Sequence, residues 1–132
     1  MKILVTEFIS LDGVIQAPGG ADEDTDGGFR HGGWSMKYFD PTVMGEMFTD
    51  LANRSDALLQ GRRTYQASAA AWPSRSGDAF SDWINRAQKY VVSDSLSDDD
   101  ISWQPTTIIR GAQLEREVSK LRMRPGGYVY VY

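Results

Sequence analysis

The chain alternates short apolar runs with helical patterns. Ile3 to Ile9 is rich in apolar and β-branched side chains and reads as a buried first strand, ending at the turn signal Ser10-Leu11-Asp12-Gly13. A long polar loop with six glycines runs from Gln16 to Trp34. Asp40-Pro41 then opens a helix, aspartate as N-cap and proline at the first helical position. Val43, Met44, Met47, Phe48 and Leu51 recur at helical spacing and predict one face packed on a core. Ala57 to Gln60 reads as a short buried strand, followed by Gly61 and a helix-prone stretch from Thr64 to Ala71. A further short helix is expected over Asp82 to Ala87, then strands at Lys89–Ser93 and Thr106–Arg110. Gln113 to Leu121 reads as a helix with Leu114, Val118 and Leu121 inward, and Tyr128 to Tyr132 as a last strand. Strands alternating with helices predict an α/β fold with a mostly parallel sheet flanked by helices.

Composition narrows the chemistry. The 132 residues suit a single domain spanning 1–132, and the 41% hydrophobic content suffices for a core. With no cysteine and His31 as the one histidine, thiol catalysis, cysteine-held clusters and multi-histidine metal sites are excluded. No run approaches the ~20 apolar residues of a membrane helix. The Met1–Val5 run turns polar at Thr6-Glu7, too short for a signal peptide, which predicts a cytoplasmic protein. The net charge is −4: residues 1–66 hold ten acids and six bases, and 67–132 hold eight of each. No basic stripe suggests nucleic acid as a partner.

The stretch richest in chemistry is Leu58-Leu59-Gln60-Gly61-Arg62-Arg63-Thr64-Tyr65. A strand, a glycine and two arginines opening a helix form a candidate anion site, because free N–H groups and the positive dipole end meet guanidinium donors there. The competing reading is an ordinary strand-to-helix turn with solvated arginines and Thr64 as a cap. Neither a Walker loop nor the Rossmann glycine fingerprint occurs. Asp22-Glu23-Asp24-Thr25-Asp26-Gly27 imitates the start of a calcium loop, but Gly33 stands where the bidentate glutamate belongs, so a solvated loop is expected and no metal.

Gly61-Arg62-Arg63-Thr64-Tyr65 after a buried strand resembles the phosphate turn of the dihydrofolate reductase fold. Ser10-Leu11-Asp12-Gly13 is similar to the motif after the first strand of the reductase domain in the bifunctional riboflavin-biosynthesis deaminase-reductase. Gln16-Ala17-Pro18-Gly19-Gly20, Gly32-Gly33-Trp34 and Lys89-Tyr90-Val91-Val92-Ser93 resemble that family's uncharacterised relatives. The resemblance covers essentially the whole chain. It implies a dihydrofolate reductase-like domain and an NADPH-dependent reductase of a small heterocyclic (pterin- or pyrimidine-like) or carbonyl substrate.

Carried over, Gly61, Arg62, Arg63 and Thr64 would hold the adenosine 2′-phosphate and pyrophosphate, with Ser93 approaching the 2′-phosphate. Paired arginines favour NADPH over NADH, since the extra phosphate needs charge neutralisation. Gly13 and Val14 would lie near the nicotinamide, and Ser10, Leu11 and Trp34 near the substrate. Asp12 reads either as a turn former or as a carboxylate that binds substrate or positions a proton donor. Glu46 is the nearest match to the single catalytic carboxylate of dihydrofolate reductases, its alternative being a solvated helix glutamate. Trp34, Trp72 and Tyr38 could stack on a heterocycle; for His31 and Trp34, pocket lining and a plain surface or core-edge role both remain open. Hydride transfer suits a chain with no essential histidine or cysteine, since it needs cofactor and substrate held face to face in a dry pocket.

In the family, the strand matching Tyr128–Tyr132 continues into a glycine-rich turn, a helix and further strands. The resemblance therefore predicts final strands missing here or supplied by a partner, and a homodimer. The alternative to a reductase is a non-catalytic, shortened nucleotide-binding or assembly module of the same fold.

Overall fold

The computed structural model describes residues 1–132. Five strands form one sheet: β1 (Lys2–Val5), β2 (Ser55–Gly61), β3 (Gln88–Val92), β4 (Thr106–Ile109) and β5 (Tyr128–Val131). Their order is β1-β5-β2-β3-β4, and every neighbouring pair is parallel. The expected α/β fold is thus found, with the sheet wholly parallel. The last strand enters between β1 and β2. Four helices connect the strands: α1 (Pro41–Arg54), α2 (Arg62–Ala71), α3 (Ala79–Arg86) and α4 (Leu114–Met123).

The chain packs as two compact units, one of Met1–Val5 with Met47–Tyr132 and the other of Thr6–Glu46. In the first, strand alternation divides the core between the two sheet faces. Leu58, Val91 and Tyr130 pack with Leu51 and Ala52 of α1, Tyr65 of α2, and Phe80, Trp83 and Ile84 of α3. On the other face Ala57 and Val129 meet Leu121 of α4, with Ile3, Leu59 and Tyr90 beside them. An aromatic chain runs through the larger cluster, with ring centroids 5.3 Å apart for Trp72–Phe80, 5.5 Å for Phe80–Trp83 and 6.1 Å for Trp83–Tyr130.

Several boundaries differ from the sequence reading for local reasons. β1 ends at Val5 rather than Ile9, since Thr6-Glu7 interrupts the apolar run, and Ile9 is exposed. α3 starts at Ala79 because the Asp78 carboxylate accepts from the N–H groups of Phe80 (3.1 Å) and Ser81 (2.9 Å). The Asp40 cap of α1 is present, its Oδ1 accepting from Thr42 N at 2.9 Å and Val43 N at 3.1 Å. Val43 and Met47, expected inward, are exposed. They lie one residue off the line through Phe48, Leu51 and Ala52 that meets the core, and a helix turns by ~100° per residue.

In the Thr6–Glu46 unit two backbone segments touch. A Cβ on Gly32 would stand 2.3 Å from the Ala21 carbonyl oxygen, so only glycine fits. The contact is closed by Gly33 N donating to Ala17 O (2.8 Å) and Ser35 N to Pro18 O (3.1 Å). No helix is long and apolar enough to cross a membrane.

Candidate functional site

Because the sheet is parallel, the C-terminal ends of β2, β3 and β4 share one edge. Gly61 pairs with Val92, and Val92 with Ile109. The residues that follow these ends are Arg62, Ser93 and Arg110, neighbours by register. α2 begins at once after β2, with extended Gly61 (φ −74°, ψ 165°) as its N-cap. Gly61 has no side chain to cap this end, and the start of a helix is a place where backbone N–H groups can meet an anion. Arg62 and Arg63 are exposed and Thr64 is half-buried. Arg62 Nη1 makes one long contact, 3.4 Å to Gln66 Oε1. The helix itself is pinned by Tyr65, whose hydroxyl accepts from Trp103 N (3.1 Å) and donates to Trp103 O (3.4 Å).

Ser93 does not hold its hydroxyl outward. It is buried, and Oγ accepts from Ser95 N at 3.2 Å and Leu96 N at 3.1 Å, folding the loop after β3 back on itself. Its hydroxyl also lies 3.4 Å from Ser95 Oγ, and either of the two can donate. Arg110 fixes the same loop through Nη1, which donates to the Ser93 (2.8 Å) and Leu96 (2.7 Å) carbonyls. Asp94 Oδ1 accepts from Gly111 N at 2.8 Å. Arg110 escaped the sequence reading because it looked like the tail of a strand. It brings a third guanidinium to the edge that carries Arg62 and Arg63.

The other sequence candidates lie in the Thr6–Glu46 unit. Ser10 N donates to Val14 O (2.9 Å) and Gly13 N to Ser10 O (3.0 Å), closing a turn with Gly13 at φ +87°. Ser10 Oγ accepts from Val14 N at 2.9 Å and donates to Asp12 Oδ1 at 2.5 Å. That bond, with a backbone N–H, holds the Asp12 carboxyl below the usual carboxylate range. Asp12 is therefore an ionised acceptor, suited to orienting a ligand N–H or O–H rather than to giving up a proton. Leu11 is fully exposed, and Glu46 stands exposed on α1.

The half-buried Trp34 donates its indole N–H to Gln16 O at 2.9 Å, tying the long loop together. His31 meets Phe29 edge-on at 5.7 Å, and both line a shallow pocket with Gln16, Asp26 and Arg30. The loop acids serve backbone turns, Glu23 Oε2 accepting from Gly19 N (2.6 Å) and Asp24 Oδ1 from Asp26 N (2.9 Å). No group of three acids or histidines gathers to hold a metal ion.

The wholly parallel five-stranded α/β sheet is consistent with the dihydrofolate reductase-like fold. The family model of the RibD C-terminal domain matches residues 1–131, and the chain belongs to that family. The family suggests a reductase-type role in riboflavin biosynthesis, and its members generally bind NADPH. No curated protein matches the chain.

Proposed function

We propose that the protein is an NADPH-dependent reductase acting on a small heterocyclic or carbonyl substrate. The observation that carries this reading is the uncapped start of α2 at the C-terminal sheet edge, flanked by Arg62 and Arg63 and neighboured by Arg110. Helix-start N–H groups, the Thr64 hydroxyl and guanidinium donors are a donor set matched to phosphates. Ser93 stands at the same edge with its hydroxyl turned into the loop after β3. The cofactor's part is to supply the hydride.

In this reading Gly61, the N-cap of α2, presents its backbone to the phosphates. Gly13 and Val14 border the nicotinamide, and Ser10, Leu11 and Trp34 the substrate. Asp12, held ionised by Ser10, orients a substrate donor; Glu46 is the second carboxylate assigned to catalysis. The working assembly is a homodimer, supported by exposed Val5, Leu11 and Tyr38 side chains and by the unpaired outer edge of β1.

Melting curves with millimolar NADPH test the cofactor. A ligand at ~100 times its Kd adds about 2.7 kcal/mol, a shift of several degrees. No shift would sink the reductase reading. A shift without turnover of any heterocyclic or carbonyl substrate would instead favour the non-catalytic nucleotide-binding module. Sedimentation tests the dimer, which a single species near 14.7 kDa would refute.

A further inference from the structure

One group of polar side chains lies inside the larger apolar core. Gln60, the last side chain of β2 before Gly61, is 2% exposed. Its Nε2 donates to Ser68 Oγ of α2 at 3.2 Å, and Ser68 Oγ shares a hydrogen bond with the Tyr132 hydroxyl at 2.9 Å. The Gln60 and Trp72 side chains also reach the Tyr132 hydroxyl. Around them are Leu58, Phe80 and Tyr130, with the Tyr132 ring stacked on Tyr130 at 5.2 Å.

The Gln60 amide oxygen, Oε1, has no donor. Turning the amide over does not cure this. Ser68 would then donate to Oε1 and leave Nε2 bare, so either orientation strands one buried polar atom. Such an atom weakens a folded protein unless something supplies its partner. Tyr132 and Trp72 are half-buried and keep part of their surface exposed, while Gln60 and Ser68 are buried. The cluster lies at the edge that carries the arginine turn, because Gln60 directly precedes Gly61 and Tyr132 directly follows β5, the neighbour of β2.

We propose that Gln60, Ser68 and Tyr132 form a subsite for an amide group of a bound ligand, Gln60 Oε1 accepting its N–H and the Tyr132 hydroxyl donating to its C=O. An amide fits because it is neutral and carries donor and acceptor side by side, whereas a charged group would be costly in this apolar surround. Gln60 Nε2 donates to Ser68, and either hydroxyl of the Ser68–Tyr132 pair can be the donor; with a ligand carbonyl present, Ser68 donates to Tyr132 and the phenol proton goes to the ligand. Burial pushes the Tyr132 hydroxyl up to about 12, so it remains a donor at physiological pH. The inference rests on the reading of this edge as the ligand edge. The amide belongs either to the carboxamide of the nicotinamide or to a ring amide of the substrate.

Binding by the wild type, Tyr132→Phe and Gln60→Met decides between them. The probes are NADPH, adenosine 2′,5′-bisphosphate, which has the phosphates without the amide, and 2-pyridone as a minimal ring amide. Adenosine bisphosphate should bind all three proteins alike. An amide-bearing probe should weaken about tenfold in both variants, the loss from one hydrogen bond of ~1.4 kcal/mol. A loss with NADPH assigns the nicotinamide carboxamide; an unchanged NADPH affinity with loss of 2-pyridone assigns the substrate. Gln60→Met should melt no lower than wild type, since it removes an unpartnered atom. The proposal is overturned if neither amide-bearing probe binds the wild type, or if both bind the variants equally well. It is also overturned if Gln60→Met is destabilised while its binding is unchanged, the mark of a purely structural bridge. Failure of NADPH and adenosine bisphosphate to bind the wild type would defeat the cofactor reading alone, and 2-pyridone would still decide the subsite.

Discussion

Lys89 of β3 is completely buried, and carbonyl oxygens rather than a carboxylate receive its ammonium. Nζ donates to Ala87 O at 2.8 Å, Asn85 O at 3.1 Å and Gln104 O at 3.5 Å, and sits 4.2 Å from the centre of the Trp103 ring. Burial pushes this group down from 10.5 to about 8. At ~1.4 kcal/mol per pH unit of displacement, keeping the amine charged in the fold costs ~3 kcal/mol. The sign follows from proton uptake. Between pH 8 and 10.5 the unfolded chain holds the proton and the folded chain has lost it, so stability rises with pH across that window and is lowest below it. Lys89→Met removes this dependence and leaves three carbonyls without their donor, at ~1 kcal/mol each. The two effects nearly cancel near neutral pH. Urea unfolding at pH 7, 8, 9 and 10 is the assay, read as the difference between wild type and variant. That difference should grow in favour of wild type by ~2–3 kcal/mol from pH 7 to 10. A difference independent of pH would refute the reasoning. Above pH 10 the Tyr132 hydroxyl, raised to about 12, acts oppositely: its contribution is present below 10 and lost through 12.

Asp78→Ala removes the α3 cap and should cost roughly 1 kcal/mol at neutral pH, lowering the melting temperature by about 4 °C. Hydrogen bonds from Ser81 hold the Asp78 carboxyl below 3.8, so its contribution is present above that value and the gap to wild type should close as pH falls from 4 towards 2. Gly32→Ala drives a Cβ to 2.3 Å from a backbone oxygen and should cost at least ~1–3 kcal/mol locally. Hydrogen exchange should then accelerate across residues 17–35 while the sheet amides stay protected; equal protection throughout would contradict the close approach.

Much of the fold was legible because it is local. The Asp40-Pro41 start and the strand–Gly61–helix turn are each encoded within about eight residues, and parallel pairing follows from the alternation of elements. The entry of β5 between β1 and β2 was not legible, because a local pattern carries no information on which distant strand it joins. Ser93 was read as the last residue of a strand and stands one position past the end of β3, and the inward turn of its hydroxyl depends on the Ser95 and Leu96 amides. Gln60 and Lys89 looked like ordinary strand residues. Their burial becomes visible only once α2, β5 and the loop at Trp103 close over them. Arg62 and Arg63 stood out because two adjacent cations after a strand and a glycine are chemically conspicuous without any tertiary information.

The most direct test of the account is calorimetric titration of NADPH and NADH into the wild type and an Arg62→Ala/Arg63→Ala variant. Two charge-assisted bonds at ~1.5–3 kcal/mol each predict a loss of NADPH affinity of 100-fold or more, and a clearly smaller loss for NADH, which lacks the 2′-phosphate. Equal losses for the two cofactors, or no loss for either, would contradict the assignment of the arginine turn.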